Sequence, residues 1–192
     1  MNDVDDAGLI ALARRGDAVA FSELFASYER PIFRYAAHMC GRDAADDIVQ
    51  ETFLALLRGR GRYEPARGTV AAYLFGIARH CVLRRLSDIE VAAFERDERD
   101  GRMEGDPGAP SVLDDLSRQE TVQAVRAAIA TLPAPYREAI VLCELQDMAY
   151  ADAAAVAQCP VGTIRSRLHR ARALLTMKLS ASECGVGMRK SV

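Results

Sequence analysis

Residues 150–175 read YADAAAVAQCPVGTIRSRLHRARALL, two short helical patterns set around a break at Gln158-Cys159-Pro160. Ala153, Val156 and Ala157 give the first pattern a face of small residues, across which a second helix can pass closely. In the second, Ile164, Leu168, Ala171 and Leu175 recur at i, i+4, i+7 and i+11, the spacing of one buried stripe. Arg165, Ser166, His169 and Arg170 point away from that stripe, and Arg167 and Arg172 flank them. No acidic residue occurs between Pro160 and Ser182, where four Arg and one Lys do. An exposed helix face rich in Arg suits a DNA major groove, because Arg can bond bidentately to guanine while further cations neutralise phosphates.

The rest of the chain is helical in the same way. Half of its 192 residues are apolar, Trp is absent, and Ala and Leu dominate, a composition for aliphatic helical cores. Asp6 opens a short helix through Leu9, Ile10 and Leu12 that stops near Gly16. Asp17 can cap a second helix carrying Phe21, Leu24, Phe25 and Tyr28, which Pro31 interrupts or kinks before it resumes to Gly41. Asp43 is a candidate cap for a third, in which Ile48, Val49, Thr52, Phe53, Leu56 and Leu57 form the clearest amphipathic stripe. A basic loop, RGRGRYEPARG, precedes a long helix from Thr69 to about Leu86. Further helices are expected to about Thr131, from Pro135 to Gln146, from Tyr150 to Ala157 and from Val161 to about Leu179. No alternating strand pattern occurs. The fold class is all-α, in two small helical domains joined by a flexible acidic linker.

Net charge is −2, but its distribution is uneven. Residues 1–86 hold 12 Arg/Lys and 11 Asp/Glu, residues 87–120 hold 4 and 11, and residues 121–192 hold 9 and 5. The acidic middle contains ERDERDGRMEGDPGAPS and reads as a tether. The expected division is therefore a first domain at 1–86, a linker at 87–115, a second domain at 116–179 and a frayed tail at 180–192.

Five cysteines, Cys40, Cys81, Cys143, Cys159 and Cys184, are scattered without a C-x-x-C pair and read as reduced helix thiols. That holds also for Cys40 near His38 and Cys81 beside His80. No signal peptide, membrane span, metal-ligand cluster, phosphate loop or nucleophile motif is recognisable, so a cytoplasmic, non-enzymatic protein with no cofactor is expected.

On the third helix, Asp46, Asp47, Gln50, Glu51 and Leu54 lie beside the apolar stripe. On the fourth, Tyr73, Gly76, His80 and Arg84 share a side, with Arg79 close by. An aromatic among cations beside a basic loop is a composition for holding unpaired bases.

Leu132-Pro133 and the sequence from Tyr136 to Leu175, above all PVGTIRSRLHRAR at 160–172, resemble region 4 of the extracytoplasmic-function sigma factors. The segment DDIVQETF at 46–53 resembles their region 2.2, and GTVAAYLFGIARHCVLRRL at 68–86 their regions 2.3 and 2.4. The resemblance covers residues 9–86 and 116–179. It implies a subunit that directs RNA polymerase to promoters. The region 2.2 face would dock on the β′ clamp helices of core polymerase, and region 4 would sit at the β flap. Arg165, Ser166, Arg167, His169, Arg170 and Arg172 would bind the −35 element. Tyr73, Gly76, Arg79, His80 and Arg84 would bind and melt the −10 element. The family commonly has Trp, Arg and Asn where this chain has Tyr73, Gly76 and His80. Ala151-Asp152-Ala153-Ala154 replaces its usual acidic pair and Ile. An anti-sigma factor is a further partner the resemblance implies. The competing reading is a helix-turn-helix regulator that binds duplex DNA without joining polymerase.

Overall fold

The computed structural model describes the backbone of residues 3–59, 63–97 and 116–187. Within these, helices α1 (Asp3–Ala13), α2 (Ala18–Cys40), α3 (Ala45–Leu57) and α4 (Val70–Asp97) build the N-terminal domain. Helices α5 (Leu116–Ala130), α6 (Ala134–Ile140), α7 (Tyr150–Val156) and α8 (Val161–Gly187) build the C-terminal one. A 3₁₀ turn at Pro65–Arg67 precedes α4, and a π-helical turn at Val141–Leu145 continues α6.

Side-chain hydrogen bonds set two of the starts among the described residues. The Asp17 side chain accepts from the backbone N–H groups of Val19 and Ala20, at 2.9 and 3.0 Å, and so starts α2. The Thr69 hydroxyl accepts from Ala72 N–H at 3.1 Å and starts α4. Asp43 does not cap α3. That helix begins one residue further on, after Ala44 in a helical conformation with no side-chain cap, and Asp46 and Asp47 occupy its first turn instead.

Pro31 does not break α2, which runs through it without interruption. Proline removes one donor, but Tyr28, Ile32 and Tyr35 on either side are at most 3% exposed, and their packing outweighs that loss. Two other ends differ from expectation. Residues 87–97, expected as tether, continue α4 to Asp97; residues 98–115 lie outside the described residues. The expected tail is helical as far as Gly187, and only 188–192 lie outside.

In the N-terminal domain Leu24, Ile32, Tyr35, Leu56, Leu74 and Val82 are fully buried. Phe21, Phe25 and Phe53 form an aromatic cluster between α2 and α3, with centroids 4.8–6.0 Å apart. The Tyr28 hydroxyl donates to the buried Asp6 carboxylate at 2.5 Å, tying α1 to α2. In the C-terminal domain Leu132, Leu142, Ile164 and Leu168 play the same part. The two cores join. Helices α2 and α4 pack against α5, α6 and α7, and one cluster of buried residues runs through both domains.

Candidate nucleic-acid interface

The C-terminal pair α7 and α8 is the expected helix-turn-helix. Ala153, Val156, Ala157, Ile164, Leu168 and Ala171 are all buried between or beneath the two helices, so small residues on α7 let α8 cross it. The turn closes by Cys159 N–H donating to the Ala154 carbonyl at 3.0 Å and Thr163 N–H to that of Pro160 at 2.9 Å. Gln158 takes φ +53° to reverse the chain, a left-handed conformation usually given to Gly or Asn.

Arg165, Ser166, His169 and Arg170 are exposed on one face of α8, as the stripe required. Their surroundings differ. The Arg165 guanidinium lies 6.0 Å from the Tyr150 ring centroid, and one Arg170 nitrogen is 3.5 Å from the Tyr136 hydroxyl. The Ser166 hydroxyl donates back to the Thr163 carbonyl at 2.9 Å. Arg167 is half-buried, so its stem packs on the domain rather than extending freely. Arg172 is exposed and paired with Glu144 from the π-helical turn.

On α3, Asp46, Asp47, Gln50, Glu51 and Leu54 are all exposed, while Ile48, Val49, Thr52 and Phe53 between them are buried. Leu54 is 46% exposed, an apolar side chain left on an otherwise acidic face. Glu51 reaches across to α4 and pairs with Arg84.

The α4 residues divide. Tyr73, Gly76, His80 and Arg84 line a cleft of about 640 Å³ that is also lined by Ala155 and Val156 of α7 and by Gln158 of the turn after it. Tyr73 is neither core nor free. Its ring packs 5.5 Å from that of Tyr63, and its hydroxyl accepts from Arg14 at 2.7 Å. Burial pushes the Tyr73 hydroxyl up in pKa, and the neighbouring Arg14 pulls the other way. A Cβ added at Gly76 would meet nothing within 4 Å, so this glycine leaves open floor in the cleft. Arg79 is elsewhere. It turns from the cleft to the Glu138 carboxylate of α6, 2.8 Å away, with its side chain 17% exposed.

The buried pairing of Glu138 is not legible in the sequence, although one signal exists. It falls on the stripe of Val141, Leu142 and Leu145, where the helical period calls for an apolar side chain. It is 5% exposed and also accepts from the Tyr35 hydroxyl of α2 at 3.0 Å. Burial, then Glu138, pushes the Tyr35 hydroxyl well above its ordinary pKa. Arg137, beside it, donates to the carbonyls of His38 and Met39 at the end of α2, at 3.5 and 3.3 Å. It also donates to those of Ala130 and Leu132 in its own domain.

No helix among the described residues is long and apolar enough to cross a membrane. Among the same residues no group of three or more His, Cys, Asp or Glu could hold a metal ion.

Comparison with known proteins accounts for both domains. The Sigma-70 region 2 model matches residues 24–90 and the Sigma-70 region 4 model residues 122–175. The ECF RNA polymerase sigma factor SigC of Mycobacterium tuberculosis is 36% identical over 175 residues, covering 88% of this chain and 89% of that one. SigM of the same organism is 33% identical, with 96% and 90% covered. The RNA polymerase sigma-H factor of Pseudomonas aeruginosa is 34% identical, with 87% and 90% covered. Among solved structures, the sigma factor RpoE bound to the anti-sigma factor NepR from Bartonella quintana superposes with TM-score 0.66. Its identity is 26%, and the match covers 83% of this chain and 96% of that one. CnrH in complex with the cytosolic domain of CnrY gives the same TM-score at 28% identity, with 92% and 98% covered.

Proposed function

Because this chain belongs to the extracytoplasmic-function group of sigma-70 RNA polymerase sigma factors, we propose that its two domains divide promoter recognition between α4 and α8. The protein is an alternative-type sigma factor that directs promoter-specific transcription initiation. Asp46, Asp47, Gln50, Glu51 and Leu54 are the docking face for the β′ clamp helices of core polymerase. Arg165, Ser166, His169 and Arg170 read the −35 element in the major groove, and Arg167 and Arg172 hold its backbone. Tyr73, Gly76, His80 and Arg84 receive the unpaired −10 strand in their cleft, with Arg79 joining them once it is released from Glu138.

The observation that carries this reading is the α8 face, which is exposed, contains no acid and projects from a buried helix-turn-helix frame. The α4 cleft supports the second half, since it combines the Tyr63 and Tyr73 rings with Arg58, Arg67, His80 and Arg84. Extruding a base costs a few kcal/mol, so capture there must be coupled to polymerase-driven opening. The chain acts in the cytoplasm without catalysis of its own. An anti-sigma factor is the expected regulator, since two structural relatives were solved with NepR and with CnrY.

Capture on immobilised core polymerase tests the docking half. Stoichiometric retention, lost in Asp47→Arg, is expected. Retention by duplex promoter DNA alone, with none by core, would contradict it and favour a free-standing helix-turn-helix regulator.

A further inference from the structure

One row of α2 is cationic and no acid among the described residues pairs with it. Arg30, Arg34 and His38 recur at i, i+4 and i+8 along the second half of the helix, about 12 Å at ~1.5 Å per residue. No acidic residue occurs from Arg30 to Arg42, and Glu29 and Asp43 bound the stretch. Arg42 lies past the helix end and folds back on it, its guanidinium 5.9 Å from the Phe33 ring centroid. Arg126 of α5 and Arg137 of α6 approach the same row. Arg137 donates to the carbonyls of His38 and Met39, and Arg34 donates to Gln146 at 3.2 Å. Burial, then Arg126, Arg137 and Arg34, lower the pKa of His38, and no carboxylate opposes them.

Arg30, Arg34, Arg42 and Arg126 are all exposed, and none is in an ion pair among the described residues. The dipole at the end of α2 favours a cation in the last turn and accounts for His38. Arg30 and Arg34 stand more than a turn away from it. Like charges at i, i+4 are destabilising, so an anionic partner is the occupant that offsets this arrangement.

Two features favour nucleic acid over an acidic protein. No large apolar side chain is exposed on α2 between Arg30 and Cys40, so a protein interface there would lack a buried anchor. The patch also lies between the two candidate DNA faces. Helix α2 packs on α4, α5 and α6 pack on α8, and α2 packs on both α5 and α6.

We propose that Arg30, Arg34 and Arg126 form a third DNA contact, which holds the phosphate backbone of the duplex between the two promoter elements without reading its bases. This rests on the assignment of α4 and α8 to those elements. A phosphate grip carries no sequence information directly, so it would add affinity while leaving the intervening sequence free.

The test measures binding of the full chain to random-sequence duplex over a range of salt, and then footprints the holoenzyme on a promoter. Each phosphate contact adds about 0.9 to the fall of log K with log salt. Arg30→Ala, Arg34→Ala and Arg126→Ala together should flatten that slope by about 2 to 3. Arg30→Lys, Arg34→Lys and Arg126→Lys together should keep the wild-type slope, because a phosphate can be held by a point charge. In the holoenzyme, the triple Ala variant should lose hydroxyl-radical protection between the elements and keep the base preference at both. An unchanged slope, or a wild-type chain that does not bind duplex at low salt, overturns the contact. Unchanged protection overturns its place between the elements. Loss of core-polymerase capture with an unchanged slope would give the patch to a protein partner instead. Arg34→Ala also removes the Gln146 bond, so if the triple variant loses helicity, Arg30→Ala with Arg126→Ala decides by the same slope. Run-off transcription, measured separately, tests the sigma reading: a flattened slope without transcription would sink that reading and leave the backbone grip standing.

Discussion

Glu51 on α3 and Arg84 on α4 form an ion pair that joins the candidate polymerase-docking face to the candidate single-strand face. Both side chains are about half exposed, so the pair contributes little to stability. Its consequence is spatial. On the proposed roles, polymerase contact at Glu51 and DNA contact at Arg84 would compete for each other's partner, and docking would release a cation at the edge of the α4 cleft.

Asp47→Arg is accordingly the cleaner probe of docking, because Asp47 faces solvent and Glu51 is engaged with Arg84. It should abolish capture by core polymerase with helicity unchanged. Glu51→Arg should do the same and also weaken the fold slightly, by setting two cations together. Wild-type affinity for core in the Asp47→Arg, Glu51→Arg double variant would remove α3 from the docking surface.

Tyr73 should separate ring from hydroxyl. Tyr73→Phe removes the hydroxyl that accepts from Arg14 and is expected to lower stability by about 1 kcal/mol, with strand opening kept. Tyr73→Ala should reduce permanganate reactivity of promoter thymines more than it reduces initial holoenzyme binding. Equal losses from both variants would mean that Tyr73 serves the fold and not the DNA.

On α8 the expectation is a split between reading and gripping. A bidentate Arg–guanine contact gives roughly 1–3 kcal/mol of discrimination, and a phosphate contact carries no sequence information directly. Arg170→Ala should relax preference at particular upstream base pairs. Arg172→Ala should weaken all sites alike and flatten the salt dependence by about one counterion. A uniform loss from Arg170→Ala would show that this residue holds DNA without reading it.

Stability should fall on both sides of neutrality. Burial, with Arg126, Arg137 and Arg34 nearby, lowers the pKa of His38, so the folded chain binds fewer protons there than the unfolded one. Its contribution is lost as pH falls below the ordinary His value of about 6.5. Burial raises the thiols of Cys40, Cys81 and Cys143, so the folded chain keeps their protons longer, and stability falls as pH rises past about 8.5. The same three thiols should alkylate more slowly than free cysteine. Alkylation at the free rate in the folded chain, or an acid limb unchanged in His38→Asn, would contradict these assignments.

Periodicity made α3 and α8 legible, and the structure keeps their buried stripes and exposed faces where the spacing put them, except at the ends, where Leu57 is exposed and Leu175 half-buried. Asp17 was equally plain, because its side chain decides a local hydrogen bond. Charge misled at residues 87–97, since Glu and Arg are good helix formers even without an apolar stripe. At Pro31 the interruption does not occur, because packing around Tyr28 and Ile32 overrides a local rule. The pairing of Arg79 with Glu138 was not legible, because the two lie 59 residues apart in sequence, a distance over which no pattern reaches.

Run-off transcription by core polymerase loaded with this chain, on a library randomised across the upstream 50 base pairs, tests the two-point account most directly. Sequenced transcripts should share two blocks of preferred bases at a fixed spacing, the upstream block weakened at defined positions by Arg170→Ala and the downstream one by Tyr73→Ala. Transcripts that need only one block, or that start without preference, would contradict it.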